Sequence, residues 1–270
     1  MLIPALFLAV PMFQSPVPVP PEPPPAVQVA VPRQATASLQ LAHAKTVRAA
    51  ARGASGAARV EALQEAATAY QAVTDHFPGH GVVQAEAAFR RGEIQRALGR
   101  TGLARAAFLE AYDAGNGTDY AARGLIEVGH LHRRAAEFDQ ALAHYRKVRE
   151  IPGVLLRYSN DSLEWECKAL LRVGAFEEAG RVAALWSANA EGPLDVVRAA
   201  DLEIQALVGM DALDRAEARL AQVQAQLEPF VQEPSKEAEQ LRKALERMKA
   251  PELLHERRSR QGVGQQVLAR

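Results

Sequence analysis

The sequence has very little cysteine, few aromatic residues and no excess of either charge. Cys167 is the single cysteine in 270 residues, so an intramolecular disulfide and a thiolate metal cage, which need two or more thiols, are excluded. Basic and acidic residues number 32 each, so no net field gathers a polyanion and we expect no nucleic-acid binding. Aromatic residues make up 6%, while Ala, Leu, Glu, Gln and Arg are abundant. This composition favours helix throughout.

The N-terminus is apolar. Residues Met1 to Phe13 (MLIPALFLAVPMF) have the length of the apolar core of a signal peptide and are too short to cross a bilayer core about 30 Å thick. We assign 1–14 as a signal-like or anchoring segment and expect export. An uncleaved anchor and a misassigned start codon are the alternatives, and membrane contact is expected only through this segment.

Prolines dominate the residues that follow, Ser15 to Pro25 (SPVPVPPEPPP). Because proline fixes φ and lacks a backbone donor, this stretch should be a stiff polyproline-II spacer that cannot join a core. We assign 15–34 as a proline-rich linker. The alternative is a ligand for a proline-recognition domain.

One pattern recurs along the rest of the chain with a period of 37 or 38 residues. Its fixed point, here named the repeat alanine, is found at Ala66, Ala104, Ala141, Ala179 and Ala216. Four residues later stand Tyr70, Phe108, Tyr145, Ala183 and Leu220. Seven residues later stand Val73, Ala111, Val148, Trp186 and Val223. Self-similarity at such a period is typical of helical repeat proteins.

A second position of the repeat, here named the small slot, lies twelve residues before each repeat alanine. Its residues, which are small in four units of five, are Ala54, Gly92, Gly129, Cys167 and Ile204. Two helices that pack antiparallel at a close crossing need little side chain where their backbones approach. We therefore expect each unit to be a pair of helices in contact at these small positions.

The arrangement resembles the tetratricopeptide repeat (TPR) family, whose unit is two helices with small residues at its eighth and twentieth positions, a large one at the twenty-fourth and a proline near the end. The clearest units are 87–112 (AAFRRGEIQRALGRTGLARAAFLEAY) and 125–148 (LIEVGHLHRRAAEFDQALAHYRKV), and Pro78 and Pro152 fall near unit ends. The resemblance covers about residues 47–230 and looks loosely like the periplasmic proteins of outer-membrane assembly and of the Tol-Pal system. It implies an all-α, right-handed α-α superhelix of about four to five helical hairpins.

Both ends of the repeat region depart from the pattern. Gly53 and Gly56 break the first helix early, so we expect a degenerate first unit packed by about 37–52. At the other end, residues 235–249 predict a charged amphipathic capping helix with Leu241, Leu245 and Met248 on one stripe. We assign 35–250 as the repeat domain and 251–270 as a disordered polar tail.

No group of residues in the sequence predicts catalysis. His130 and His132 are two apart on a predicted helix and point to different faces, so they cannot jointly chelate a metal. Cys167 occupies a small slot, where a thiol acts as a small hydrophobe. We therefore expect no enzymatic activity, no cofactor and no metal.

The resemblance also implies where a partner would bind, because the first helix of each TPR unit lines the concave face. By register, our candidate partner-binding residues are Phe89, Arg96, Arg123, His130, Arg133, Arg134, Lys168 and Arg172. Arg and Lys are frequent among them, so we expect a protein or peptide with acidic groups or a free C-terminal carboxylate, held by Arg133, Arg134 and Arg172. The alternative is that these arginines solvate a helix face and pair with Glu86, Glu164 and Asp161.

Together these features predict a non-catalytic protein-interaction scaffold, exported to the periplasm or associated with the bacterial envelope. The rival hypothesis is a structural subunit of a larger complex, anchored in a membrane by its N-terminal segment. Residues 1–30 would be lost from the exported scaffold and retained in the anchored subunit. Repeat folds serve too many roles for the fold to name the partner.

Overall fold

The described part of the chain, in a computed structural model, comprises residues 31–115, 117–232, 234–248 and 252–259. The segment 1–14 and most of the linker 15–34 lie outside it. Within these ranges there is no strand, and each helix is too short or too polar to span a lipid bilayer. The helices are α1 (Ala37–Ala50), α2 (Gly56–His76), α3 (Gly81–Ala97), α4 (Thr101–Ala114), α5 (Asp119–Arg134), α6 (Phe138–Val148), α7 (Leu156–Val173), α8 (Phe176–Ala188), α9 (Pro193–Gly209), α10 (Leu213–Gln232) and α11 (Lys236–Glu246), followed by a helical segment at 252–259.

The helices pack in consecutive pairs. The described hairpins are α1–α2, α3–α4, α5–α6, α7–α8 and α9–α10, and α11 packs on α9 and α10. The first helix of each pair also contacts the first helix of the next, from α1 to α9. Each unit thus touches its neighbours in chain order, which is the arrangement of a solenoid. The expected all-α superhelix of helical hairpins with a C-terminal capping helix is confirmed.

The small slots and repeat alanines hold each hairpin together. All five repeat alanines lie on second helices and have no exposed surface. A Cβ on Gly92 would lie 2.6 Å from the Phe108 ring, and one on Gly129 would overlap the Tyr145 ring. In the fourth unit the slot residue is larger and the facing residue smaller, because Cys167 packs in one cluster with Ala183. A larger side chain on one helix of a hairpin is therefore matched by a smaller one on the other, as close packing requires.

One predicted position, in the first hairpin, is wrong. Ala54 does not occupy a small slot, because α1 ends at Ala50 and Ala54 lies in the connection 51–55. Ala44, which is fully buried, packs in one cluster with Tyr70 and takes that place. Counting back from the repeat alanine fails here because this connection is longer than the one between α3 and α4, at 98–100.

The C-terminal residues cover the last hairpin. Leu241 and Met248 are buried in the α9–α10 cluster, and the Ser235 hydroxyl caps α11 by accepting the Ala238 backbone N–H at 3.0 Å. Residues 252–259 differ from the expected disorder, because Leu254 is buried in the same cluster and Arg258 pairs with Glu217 at 2.8 Å. An apolar contact and an ion pair hold this piece of the predicted tail on α10. Residues 260–270 lie outside the described part.

Candidate functional site

The first helices of the hairpins form a continuous surface that we call the groove. It runs over α1, α3, α5, α7 and α9, which contact one another in that order. Ion pairs cross from one helix to the next, between Lys45 and Glu86 at 2.8 Å and between Arg96 and Glu127. In the first three units, charged side chains of the groove thus pair with those of the neighbouring unit.

Two of the candidate residues stack on each other where α3 meets α5. The Phe89 ring is 2% exposed and packs against Phe108 and Tyr120, with ring centroids 5.4 and 5.7 Å away. The Arg123 guanidinium lies 4.2 Å above the Phe89 ring and covers it. Phe89 is therefore a core residue that supports the groove from beneath, and Arg123 is the side chain that a partner would meet.

Arg96, on α3, is less available than the sequence suggested. Its guanidinium pairs with the Glu127 carboxylate of α5. This ion pair neutralises Arg96 and ties the second hairpin to the third. Arg96 is therefore engaged in the contact between repeats and is less available to a partner in the groove.

A neutral pair lies at the centre of the groove. His130 Nδ1 is 2.9 Å from the Tyr145 hydroxyl, and the His130 ring meets Trp165 edge-on at 4.6 Å. Burial, reinforced by the charges of Arg133, Arg134, Arg96 and Lys168, lowers the pKa of His130 to about 4. Burial also raises the pKa of Tyr145 to about 12. At neutral pH both groups are uncharged, so neither of them neutralises the cations around it.

Trp165 of α7 contacts two of these cations, and it is not among the residues predicted from the sequence. Its ring lies 4.8 Å from the Arg133 guanidinium and 4.3 Å from Lys168 Nζ. Both distances are within the range of a cation–π interaction. The sequence offered one signal for it: Trp165 is one of the two tryptophans of the chain and stands one helical turn before Lys168. Its position falls between the register positions taken from the family pattern.

Three arginines of this region have no carboxylate partner in the described part of the chain. Among the described residues, Arg134 and Arg172 are exposed and form no ion pair, and the buried Nε of Arg133 has no hydrogen-bond partner. The carboxylates expected to neutralise them do not reach them. Glu86 pairs with Lys45 and Arg90, and Glu164 pairs with Lys168. Positive charge is therefore concentrated where α5 meets α7.

The groove continues into a cavity of about 590 Å³ between α7 and α9. Its cations come from three elements: Lys168 and Arg172 of α7, Arg198 of α9, and Arg247, which directly follows the capping helix. Leu171 and Leu202 add apolar surface. A peptide end with a carboxylate and an apolar side chain would find both kinds of partner here.

The histidines do not form a metal site in the described part of the chain. His132 stacks on His144 with ring centroids 5.2 Å apart, and its Nδ1 lies 2.6 Å from Glu137. His130 faces the groove, away from this pair. Within the described ranges, no group of three or more His, Cys, Asp or Glu side chains is arranged to hold a metal ion.

Known structures with a similar backbone are TPR-like. TPR-like repeats of a Podosopora anserina protein described as a kinesin light chain match with a TM-score of 0.52 and 13% identity, over 73% of this chain and 99% of that one. The fold is TPR-like. A single-substitution variant of the same repeats gives a TM-score of 0.49 at 12% identity, over 73% of this chain and 96% of that one. The TPR domain of P58(IPK) gives 0.33 at 18% identity, over 82% of this chain and 56% of that one.

No protein-family model and no curated protein sequence matches this chain. The similarity therefore establishes the fold. Folds of this kind generally mediate protein–protein interaction, because stacked repeats present an extended concave surface.

Proposed function

We propose that the protein is a non-catalytic scaffold that binds an acidic peptide segment, or a free C-terminal carboxylate, of a partner protein in the groove. One observation carries the proposal: Arg133 and Arg134 of α5 and Arg172 of α7 have no paired carboxylate in the described part of the chain, and Arg133 lies 4.8 Å from the Trp165 ring.

The chemistry of these side chains suits a carboxylate. A guanidinium presents parallel N–H donors that match the two oxygens of a carboxylate, and such charge-assisted bonds are stronger than neutral ones. Trp165 holds Arg133 from one side, which reduces the freedom that Arg133 would lose on binding. An incoming anion would also relieve the repulsion between neighbouring cations. The same cations, after burial, contribute to the lowered pKa of His130.

A peptide-binding measurement tests the groove. Peptides with free C-termini would be selected on the purified protein, and the best one labelled and titrated by fluorescence anisotropy. We expect an acidic consensus and a loss of affinity of about tenfold or more in Arg133→Ala/Arg134→Ala, since each charge-assisted bond contributes about 1.5–3 kcal/mol.

The matched control is Arg105→Ala/Arg215→Ala, which removes two exposed arginines on the second helices α4 and α10. It should bind within about twofold of the wild type, because surface changes away from a site act weakly. Equal affinities for the two double variants, with both folded by circular dichroism, would show that the groove is not the binding surface.

We also propose that the scaffold is exported and acts in the bacterial envelope. The apolar residues Met1 to Phe13 and the proline-rich stretch after them support this part of the proposal. The same apolar segment also favours the second candidate, a structural subunit anchored by its N-terminus.

Intact-mass analysis of the protein purified from its own cells separates the two. Loss of the first 15 to 30 residues, about the length of a signal peptide, together with co-purified envelope proteins, supports the exported scaffold. Retention of Met1 or Leu2 in a stoichiometric complex would replace it with the anchored subunit.

A further inference from the structure

A second charged cavity, of about 530 Å³, lies at the N-terminal end of the repeats where α1, α2 and α3 meet. Five cationic side chains line it against two carboxylates: Lys45, Arg48, Arg52, Arg59 and Arg90 against Glu86 and Glu93. The lining therefore has three more positive than negative charges.

Both carboxylates are already saturated by the cations around them. Glu86 accepts from Lys45 at 2.8 Å and lies 3.8 Å from Arg90. Glu93 accepts from Arg48 at 3.0 Å and from Arg90 at 3.1 Å. Arg52 and Arg59 are exposed and have no ion pair among the described residues. These two guanidinium groups are available to a ligand.

The degenerate first unit creates this cavity. The helix α1 ends at Ala50, and the chain turns through the connection 51–55 before α2 begins. The first residues of α2, 56–61, are consequently exposed, because no part of α1 covers them. Arg52 of the connection and Arg59 of α2 line the space that remains.

The cavity wall is apolar beneath the charges. Leu63 and Ile94 line it together with Tyr70, whose side chain is 1% exposed. Arg48 also lines the cavity beside the Tyr70 phenol and is held by Glu93 at 3.0 Å. A ligand would therefore meet one guanidinium held by Glu93, two that have no ion pair among the described residues, and the partly exposed Leu63.

We propose that this cavity binds an organic phosphomonoester. A phosphomonoester carries a charge between about −1.5 and −2 at pH 7 and three acceptor oxygens, which match the excess of positive charge better than a single carboxylate does. Arginine forks bind phosphate oxygens in pairs. The cavity is larger than a phosphate group, and the partly exposed Leu63 offers a contact for the organic part.

The source of the phosphate is either a phosphorylated side chain of a protein or a phosphorylated small molecule, since both present the same group. The site is separate from the groove centre at Arg133 and Arg134, and neither residue lines the cavity. The inference therefore holds or fails independently of the proposed peptide binding.

Isothermal titration of the full chain with phenyl phosphate, and with benzoate as a monoanion with the same aromatic ring, tests the site. We expect one phenyl phosphate per chain and affinity for benzoate lower by about tenfold or more. The variant Arg52→Gln/Arg59→Gln should lose about tenfold in affinity for phenyl phosphate. The matched control Arg105→Gln/Arg215→Gln, with the same change in net charge, should stay within about twofold.

The proposal would be overturned by no binding of phenyl phosphate at millimolar concentration, by equal affinity for benzoate, or by an equal loss in both double variants. Arg52 and Arg59 are exposed and form no ion pair among the described residues, so their replacement should leave the circular dichroism and thermal midpoint unchanged. Arg133→Ala/Arg134→Ala should retain wild-type affinity for phenyl phosphate, and a loss there would likewise overturn a separate site.

A further titration identifies the source by comparing a phosphoserine-containing peptide with free phosphoserine. Tighter binding of the peptide supports a phosphorylated protein as the ligand. Equal binding supports a phosphorylated small molecule, and failure of both to bind overturns the site.

Discussion

The two sides of α7 use charge in opposite ways. On the side that packs against α6, the Glu166 side chain is 3% exposed and lies 2.6 Å from Arg146 Nε and 2.6 Å from an Arg149 nitrogen. On the groove side, Lys168 contacts the same Trp165 ring as Arg133 of α5, and of Lys168 and Arg172 only Lys168 has a carboxylate partner among the described residues. Charge on the first side is balanced within the chain, whereas on the second it is left in excess.

The charges on the α6 side thus serve the stability of the fold, whereas the charges on the groove side are available for binding. A buried carboxylate is tolerated only with its counter-charges in place, so the α6 side joins two hairpins. Exposed cations without partners contribute little to stability, so they are free to meet a ligand.

The largest effect should follow from removing both arginines around Glu166. Arg146→Met/Arg149→Met leaves the carboxylate buried without a counter-charge, and we expect the free energy of unfolding to fall by about 3–5 kcal/mol. Urea denaturation followed by circular dichroism measures the change. Adding Glu166→Gln should restore most of the loss, because the charge that was left unpaired is gone. Arg172→Ala should cost less than about 0.5 kcal/mol, and a comparable loss there would contradict the contrast.

Acidification should destabilise the protein through His130. Its pKa is lower in the folded state, at about 4, than the ordinary value of 6.5, so the unfolded chain binds the proton more readily. Stability is then fully present above pH 6.5 and is lost as the pH falls toward 4. Between about pH 7.5 and pH 4.5 we expect about 2–3 kcal/mol from this group.

Urea denaturation at the two pH values, compared between wild type and His130→Gln, isolates that contribution from those of other groups. The variant should lose less stability on acidification. An equal loss in both proteins would show that His130 is not held neutral by its surroundings.

Gly129→Ala should cost about 1–3 kcal/mol of stability, since the added methyl group overlaps the Tyr145 ring and the core must shift. Tyr145 also bonds to His130 on the groove side, so the change tests whether hairpin packing positions the groove. The control is Gly102→Ala, where a Cβ meets nothing within 4 Å. It should be neutral or slightly stabilising, and a gain in stability at both sites would refute the small-slot account.

The smallest effect concerns Trp165. Replacement by Leu removes two cation–π contacts of about 0.5–1 kcal/mol each at partly exposed positions, so we expect affinity for an acidic peptide to fall about fivefold. Anisotropy titration of the selected peptide measures this change. Leu185→Ala, at an exposed position of α8, should bind as the wild type does. Equal binding by Trp165→Leu and wild type would remove Trp165 from the site.

The sequence was informative where packing is local. The repeat alanines and the small slots at Gly92, Gly129 and Cys167 lie where the period places them, because the two helices of a hairpin are joined by short connections. The prediction failed at Ala54, where the connection is longer. It missed Trp165 because register positions taken from a family pattern do not show which neighbouring side chains meet across two helices. Leu254 was assigned to a polar tail because the adjacent pair Leu253 and Leu254 gives no helical periodicity.

The helical hairpins and their order follow from the sequence, since the small residues and the apolar positions after them recur within each unit and act over short distances. Which charges are neutralised depends instead on the tertiary structure. Arg96 finds Glu127 on the next hairpin, and Glu166 finds Arg146 and Arg149, while Arg134 and Arg172 find no carboxylate in the described part of the chain. Those pairings depend on how successive hairpins are rotated against each other, and that rotation is set by close packing of all the contacting side chains together.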